Sequence, residues 1–205
     1  TTTGANNTAV GSLSGDAITT GAQNTVLGSG ALSALTTATR NTAVGYLALA
    51  AATNDDNTAV GTQALGVNTT GYYNVALGYL AGGAITTGNS NTAIGTFALD
   101  AVTTVSQLTA IGHAALGANT SGTGNVAVGY LAGTTLTTAV NTTAVGYEAL
   151  TALTTGNNNT AVGKEAAEAI TTGADNTAIG KGSLAATTTA NSNTAVGSGS
   201  LTANT

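Results

Sequence analysis

The apolar and polar positions of this chain return as a block. From Asn41 the chain reads NTAVGYLALAAATNDD, and at Asn57 NTAVG begins again. The pentapeptide, or its close variant, starts at Asn7, Asn24, Asn41, Asn57, Asn74, Asn91, Leu108, Asn125, Thr142, Asn159, Asn176 and Asn193. Ten of the eleven spacings are 17 residues, and the unit that opens at Asn41 has 16. The consensus is N-T-A-V-G-x-x-A-L-x-A-x-T-T-G-x-x, numbered here as positions 1 to 17 from the Asn. Position 4 is always Val, Ile or Leu, position 5 always Gly, position 8 always Ala or Ser, and position 13 always Thr, from Thr19 to Thr205. Positions 6, 7, 10, 16 and 17 vary and hold nearly all the charges.

A 17-residue period is too short for a helix pair and fits one coil of a β-solenoid. The fold class this predicts is all-β, a parallel β-solenoid of twelve coils forming one uncapped array over residues 1–205. In a strand, alternate side chains share a face. The large apolar residue at position 4 therefore predicts that positions 2 and 4 point inward, with the uniform Ala at position 3 on a second packed surface. Gly at position 5 predicts a strand end with positive φ or a tight corner. A second strand is expected over positions 8–13, with T-T-G turning the chain back. The one-residue deletion is placed in the variable segment that closes the unit.

Stacked coils put equivalent residues about 4.8 Å apart. At that distance a column of one charge costs on the order of 1 kcal/mol per step even in water, which accounts for 5% charged residues. Lys164 above Lys181 at position 6 adjoins Glu148 above Glu165 at position 7, so the two pairs can neutralise one another. The Asn at position 1 is expected to form a side-chain amide ladder. The structural ladders assigned from sequence are Asn7, Asn24, Asn41, Asn57, Asn74 and Asn91, with Gly11, Gly28, Gly45, Gly61, Gly78 and Gly95. The Ala at positions 3, 8 and 11 suggests that several solenoids join along an Ala face. Neither end carries a charged cap, which suggests a segment of a longer protein or end-to-end stacking.

Composition narrows the function classes. Eight acids against Arg40, Lys164 and Lys181 give a net charge of −5, so no nucleic-acid partner is expected. There is no Cys, Met, Trp or Pro, hence no disulfide framework and no thiolate metal site. Residues 114–147 carry no charge, but the Gly, Thr and Asn spread through them argue against a membrane span. The opening TTTGANNTAV has no basic or apolar leader, so a signal peptide is absent or already removed.

NTAVGYLAL and NTAIGTFAL resemble two groups: the head region of trimeric autotransporter adhesins, with its S-V-A-I-G-like pentapeptide, and the N-T-A-I-G-Y-x-A-L repeats of bacteriophage tail fibres and large bacterial surface proteins. The resemblance implies a left-handed parallel β-roll with three chains around one axis, in a fibre outside the cell, on the cell surface or on a virion. The spacing here is more regular than in adhesin heads, and no binding residues carry over, because the matching positions are structural.

No catalytic, cofactor or metal residue is assigned from sequence. His113, the single histidine, sits at variable position 6 and reads as a surface imidazole. Asp55 and Asp56 read as a solvated turn in preference to a Ca²⁺ site. Glu165 and Glu168 do not recur as a carboxylate pair. Tyr46, Tyr79, Tyr130 and Tyr147 share position 6 and are expected to pack on neighbouring Leu residues. Glycan acceptor patterns occur at Asn68-Thr69-Thr70 and Asn119-Thr120-Ser121. The T-T pair is expected to present one outward Thr column, which opens an ice-binding alternative. The leading expectation is a non-enzymatic structural segment of an extracellular fibre, with itself as partner (a homotrimer, end-to-end stacking or both). A host-surface or carbohydrate receptor is a further possible partner.

Overall fold

A computed structural model describes residues 3–202. Among them the chain is all-β: a parallel β-solenoid whose coils each contribute one three-residue strand, with no helix. It divides into two compact units, Thr1–Ser106 and Gln107–Thr205. The first unit holds β1 (Thr8–Val10), β2 (Thr25–Leu27), β3 (Thr42–Val44), β4 (Thr58–Val60), β5 (Val75–Leu77) and β6 (Thr92–Ile94). The second holds β7 (Thr109–Ile111), β8 (Val126–Val128), β9 (Thr143–Val145), β10 (Thr160–Val162), β11 (Thr177–Ile179) and β12 (Thr194–Val196). Inside each unit the strands lie in chain order, parallel and in register: Thr8 faces Thr25 in the first, Thr160 faces Thr177 in the second. The position-13 column is followed from Thr19 to Thr188, since Thr205 lies outside the described residues.

The backbone hydrogen bonds explain why one coil needs another. In the third coil the amides of Thr42, Leu49 and Ala51 donate forward, to the carbonyls of Asn57, Ala64 and Gly66. Those of Gly45 and Leu47 donate backward, to Leu27 and Ser29. Few amides bond within their own coil; Ala48 to Gly45 and Ala52 to Leu49 are two that do. A buried backbone group must be paired, so an isolated coil would leave most of its donors without acceptors.

The strand faces the opposite way to the sequence expectation. Position 3 points inward: Val26, Ala43, Ala59, Ala76, Ala110, Ala127 and Ala161 are fully buried, whereas Leu27 and Leu77 at position 4 are 49% and 50% exposed. The second strand expected over positions 8–13 is replaced by turns. Both corrections have one cause. The coil is narrow, and its interior is already filled by positions 9 and 12, as by Leu32 with Leu35 and Leu150 with Leu153. The facing strand has room for a methyl and little more. Positions 9 and 12 also compensate in volume. Gly15, Gly82 and Gly133 at position 9 are followed by Ile18, Ile85 and Leu136 at position 12, and a Cβ on Gly82 would meet Ile85 Cδ1 at 3.0 Å. Since the Ala of positions 3 and 8 line this interior, they are not available to join one solenoid to another.

The deleted residue is also located. Thr39 N–H donates to Asp55 Oδ1 and Arg40 pairs with Asp56, so Asp55 and Asp56 occupy positions 16 and 17. Asn54 alone stands for positions 14 and 15, its carbonyl accepting from Asn41 Nδ2 as the position-15 carbonyl of Gly71 does from Asn57, so the deletion falls in the T-T-G turn and not in the variable segment expected from sequence.

Gly at position 5 has φ between 120° and 141° in the described coils. A Cβ on Gly61 would lie 2.4 Å from the Gly78 carbonyl oxygen, whereas one on Gly197 meets nothing within 4 Å. Gly61→Ala therefore combines left-handed strain, about 1–3 kcal/mol, with a backbone clash that Gly197→Ala avoids. Thermal unfolding is expected to show the larger loss for Gly61→Ala. Equal losses would mean that the close approach of coils contributes nothing.

Candidate functional site

What this chain offers to a partner is a set of columns, each repeating one side chain from coil to coil. The innermost, at position 1, is structural. Asn24, Asn41, Asn57 and Asn74 are buried. The Oδ1 of Asn7, Asn24, Asn41, Asn57 and Asn74 accepts the backbone N–H of the next Asn at 2.9–3.1 Å. Their Nδ2 groups donate to carbonyls at the end of the unit, as Asn74 does to Gly88 at 2.8 Å. The dominant bond is thus side chain to backbone. Direct amide-to-amide contacts, as from Asn176 to Asn159 at 3.0 Å, occur at only some steps.

The outward strand face consists of positions 2 and 4. Thr recurs at position 2 and Val, Ile or Leu at position 4, with no charged residue at either in any coil. Val10, Leu27 and Leu77 in the first unit and Val162, Ile179 and Val196 in the second are large apolar side chains open to solvent.

The T-T pair lies in a bend, where adjacent residues need not face opposite ways. Two columns therefore reach the surface, not the single one expected. Their hydroxyls are sorted. At position 13, Thr53, Thr69 and Thr86 donate Oγ1–H to the position-13 carbonyl of the next coil at 2.8–3.1 Å, and Thr120, Thr137, Thr154 and Thr171 do so at 3.0–3.2 Å. At position 14, Thr70, Thr87, Thr138, Thr155 and Thr172 are exposed.

At position 6 several rings meet other rings. In the second unit Tyr130 and Tyr147 stack at 5.3 Å, His113 lies 5.4 Å from Tyr130, and Lys164 Nζ sits 5.4 Å from the Tyr147 ring. In the first unit Tyr79 meets Phe97 edge to face at 5.4 Å. The expected neutralisation is present as an ion pair between Lys164 and Glu165 at 3.0 Å. The hydrogen bond that Lys164 donates to Glu165 holds Lys164 above its ordinary pKa, and one to Glu148 pushes the Tyr147 phenol up. Partial desolvation raises Asp100.

Asp55 and Asp56 are engaged, not simply solvated. Arg40 Nε donates to Asp56 Oδ1 at 2.6 Å and its second terminal nitrogen to Oδ2 at 2.8 Å, while Asp55 Oδ2 lies 3.6 Å from the same guanidinium. Hydrogen bonding to Arg40 holds Asp56 below its ordinary pKa. Among the described residues no group of three or more His, Asp or Glu is placed to hold a metal, and no helix is long and apolar enough to cross a membrane. A 250 Å³ open groove in the first unit, lined by Leu47, Gln63, Gly66, Val67, Leu80 and Gly83, contains no nucleophile or charge.

The glycan acceptor patterns divide by burial. Asn68 and Asn119, both at position 12, are fully buried. Three further acceptor asparagines, Asn6, Asn141 and Asn158, fall at position 17 and are exposed. Their shared repeat position is the signal in the sequence that sets them apart from Asn68 and Asn119.

Two outcomes test this surface. Thr86→Val removes a bonded hydroxyl and should cost about 0.5–1.5 kcal/mol, while Thr87→Val should change stability by less than about 0.5 kcal/mol; denaturant unfolding compares them. The depressed Asp56 carboxyl stabilises the fold above the unfolded pKa, about 3.9. That contribution is lost as pH falls through the still lower folded value. The melting temperatures of wild type and Asp56→Asn should thus differ at pH 6 and converge in strong acid. Comparison with protein-family models, curated proteins and solved structures finds no match for this chain.

Proposed function

We propose that this chain is a structural repeat segment of an extracellular fibre, adhesin-like and without catalytic activity, whose partner is itself in a homotrimer. The observation that carries this reading is the outward strand face. Val, Ile or Leu stands at position 4 in every coil, uncharged, exposed in six coils and half-buried in the other six. Contiguous exposed apolar surface marks an interaction site. A partner that covers this one must repeat with the period of the coil, and another copy of the chain has that period. Association through positions 2 and 4 replaces the Ala-face joining expected from sequence. The resemblance of NTAVGYLAL to adhesin-head and tail-fibre repeats supplies the threefold arrangement and the location outside the cell. A tail-fibre shaft is the same reading on a virion. The surface columns outside the interface would meet a host-surface or carbohydrate receptor.

A second reading, ice binding, is favoured by the two outward Thr columns at positions 13 and 14. It predicts thermal hysteresis from a discrete particle, where the fibre reading predicts none.

Light scattering after size exclusion tests the first reading. The wild-type chain, 19.4 kDa, should elute at three times that mass, and Val60→Asp with Leu77→Asp at the monomer mass with its β circular dichroism retained. A monomeric wild type overturns the trimer.

A further inference from the structure

The open groove of the first unit crosses three coils. Leu47, Gln63 and Leu80 line it from position 7, and Ala50, Gly66 and Gly83 from position 10. The groove exists because position 10 loses its side chain there. Other coils place Asp16, Ser33, Thr134, Thr151 or Glu168 at this position. The backbone does not require Gly: neither Gly66 nor Gly83 has the positive φ found at position 5. A Cβ on Gly83 would stand 3.2 Å from Leu80 Cδ2, so that leucine forms the wall beside it. No charge lines the groove, but the next coil supplies one. Phe97 and Asp100 continue positions 7 and 10 one step beyond Leu80 and Gly83. Partial desolvation holds the Asp100 carboxyl above its ordinary pKa. Its own unit has no cation to spare for it: Arg40 is the only Lys or Arg in residues 1–106, and it pairs with Asp56.

We propose that this groove is a binding site for a linear alkylammonium ion, its hydrocarbon chain along Leu47 and Leu80 and its ammonium at the Asp100 end. Three observations select that ligand. The walls are aliphatic, with Gln63 the one polar side chain among them, so the body of the ligand gains by leaving water. The outer two coils stand two steps of the stack apart, about 10 Å, the reach of an extended octyl chain. At the end of that reach the repeat places a carboxylate that lacks a counter-ion, and an aromatic ring at position 7 of the same coil. A cation is attracted by both. A carboxylate on the same chain would meet Asp100 as a like charge, on a molecule whose net charge is already −5. The groove uses positions 7 and 10, not the outward face of positions 2 and 4, so the site is independent of the fibre reading.

Methyl NMR on the labelled full chain, titrated with octylammonium chloride below its aggregation concentration, tests the site. The Leu47 and Leu80 methyl resonances should shift to saturation, while those of Leu131, at position 7 in the second unit, stay in place. Octanoate has the same chain and the opposite charge, and should bind at least about tenfold more weakly. Asp100→Asn should remove most of that difference. Gly66→Thr installs the side chain that Thr134 and Thr151 carry at the same position, and should abolish binding with the β circular dichroism retained. Gly117→Thr, at position 10 in the second unit, should leave binding unchanged. The proposal is overturned by any of three results: no saturable shift at Leu47 and Leu80, equal affinity for octanoate, or undiminished binding by folded Gly66→Thr. The comparison of the two ions is made on the wild-type chain, so it stands even where a variant does not fold.

Discussion

The hydrogen bonds between successive coils are the constraint from which the rest follows. The third coil donates forward from positions 2, 9, 11 and 13, through Thr42, Leu49, Ala51 and Thr53, and backward from positions 5, 7 and 17, through Gly45, Leu47 and Asp56; the bonds of positions 2, 5, 7 and 9 recur along the stack. Neighbours must therefore present the same backbone at the same height, and a residue that suits one coil is repeated in the next. The Asn column, the Gly column and the Thr column at position 13 each meet this requirement with a different group. Asn supplies an acceptor where the next backbone N–H has no carbonyl. Gly allows the backbones to approach. Thr adds a hydroxyl bond beside the backbone bond.

The same constraint is met against local preference. In the third coil Leu47, Leu49 and Asp56 all have φ between 50° and 60°. A left-handed conformation costs a non-glycine residue about 1–2 kcal/mol; the coils that open at Asn41, Asn57, Asn91, Thr142 and Asn159 contain three such residues, at positions 7, 9 and 17, and most of the others put a Gly at one of these positions. Alternating the sign of φ from position 5 to position 9 turns successive amides up and down the stack, where the neighbouring coils receive them. A single coil has no gain to set against this strain, so stability belongs to the array, as in other repeat proteins.

Much of this was legible in the sequence. The period, the parallel stacking, the positive φ at Gly and the outward charges follow from column regularity alone. The direction of the strand did not, because a Val beside an Ala looks like the core residue until the width of the coil is known. Leu32, Leu35, Leu49 and Leu65 fill that width and leave the strand only a methyl. The left-handed leucines of position 9 were hidden for a related reason: Leu32, Leu49 and Leu65 stand there for their buried side chains and give no sign of their backbone. At the surface, the sorting of the two threonines depends on a bend that an assumed strand concealed. The burial of Asn68 and Asn119 could be suspected only from their alignment with Ile and Leu at position 12. The apolar strand face that supports the proposed self-association is likewise a consequence of the narrow coil.

The fold stands on the pairing of each coil with the coils before and after it. Scalar couplings across hydrogen bonds, measured by NMR on the uniformly labelled chain, read that pairing directly. They should connect the Thr58 amide to the Asn74 carbonyl and the Gly61 amide to the Val44 carbonyl, the bonds that close the fourth coil on its neighbours. Couplings from each amide to the carbonyl four residues earlier, or pairings that fall at no multiple of the repeat, would contradict it.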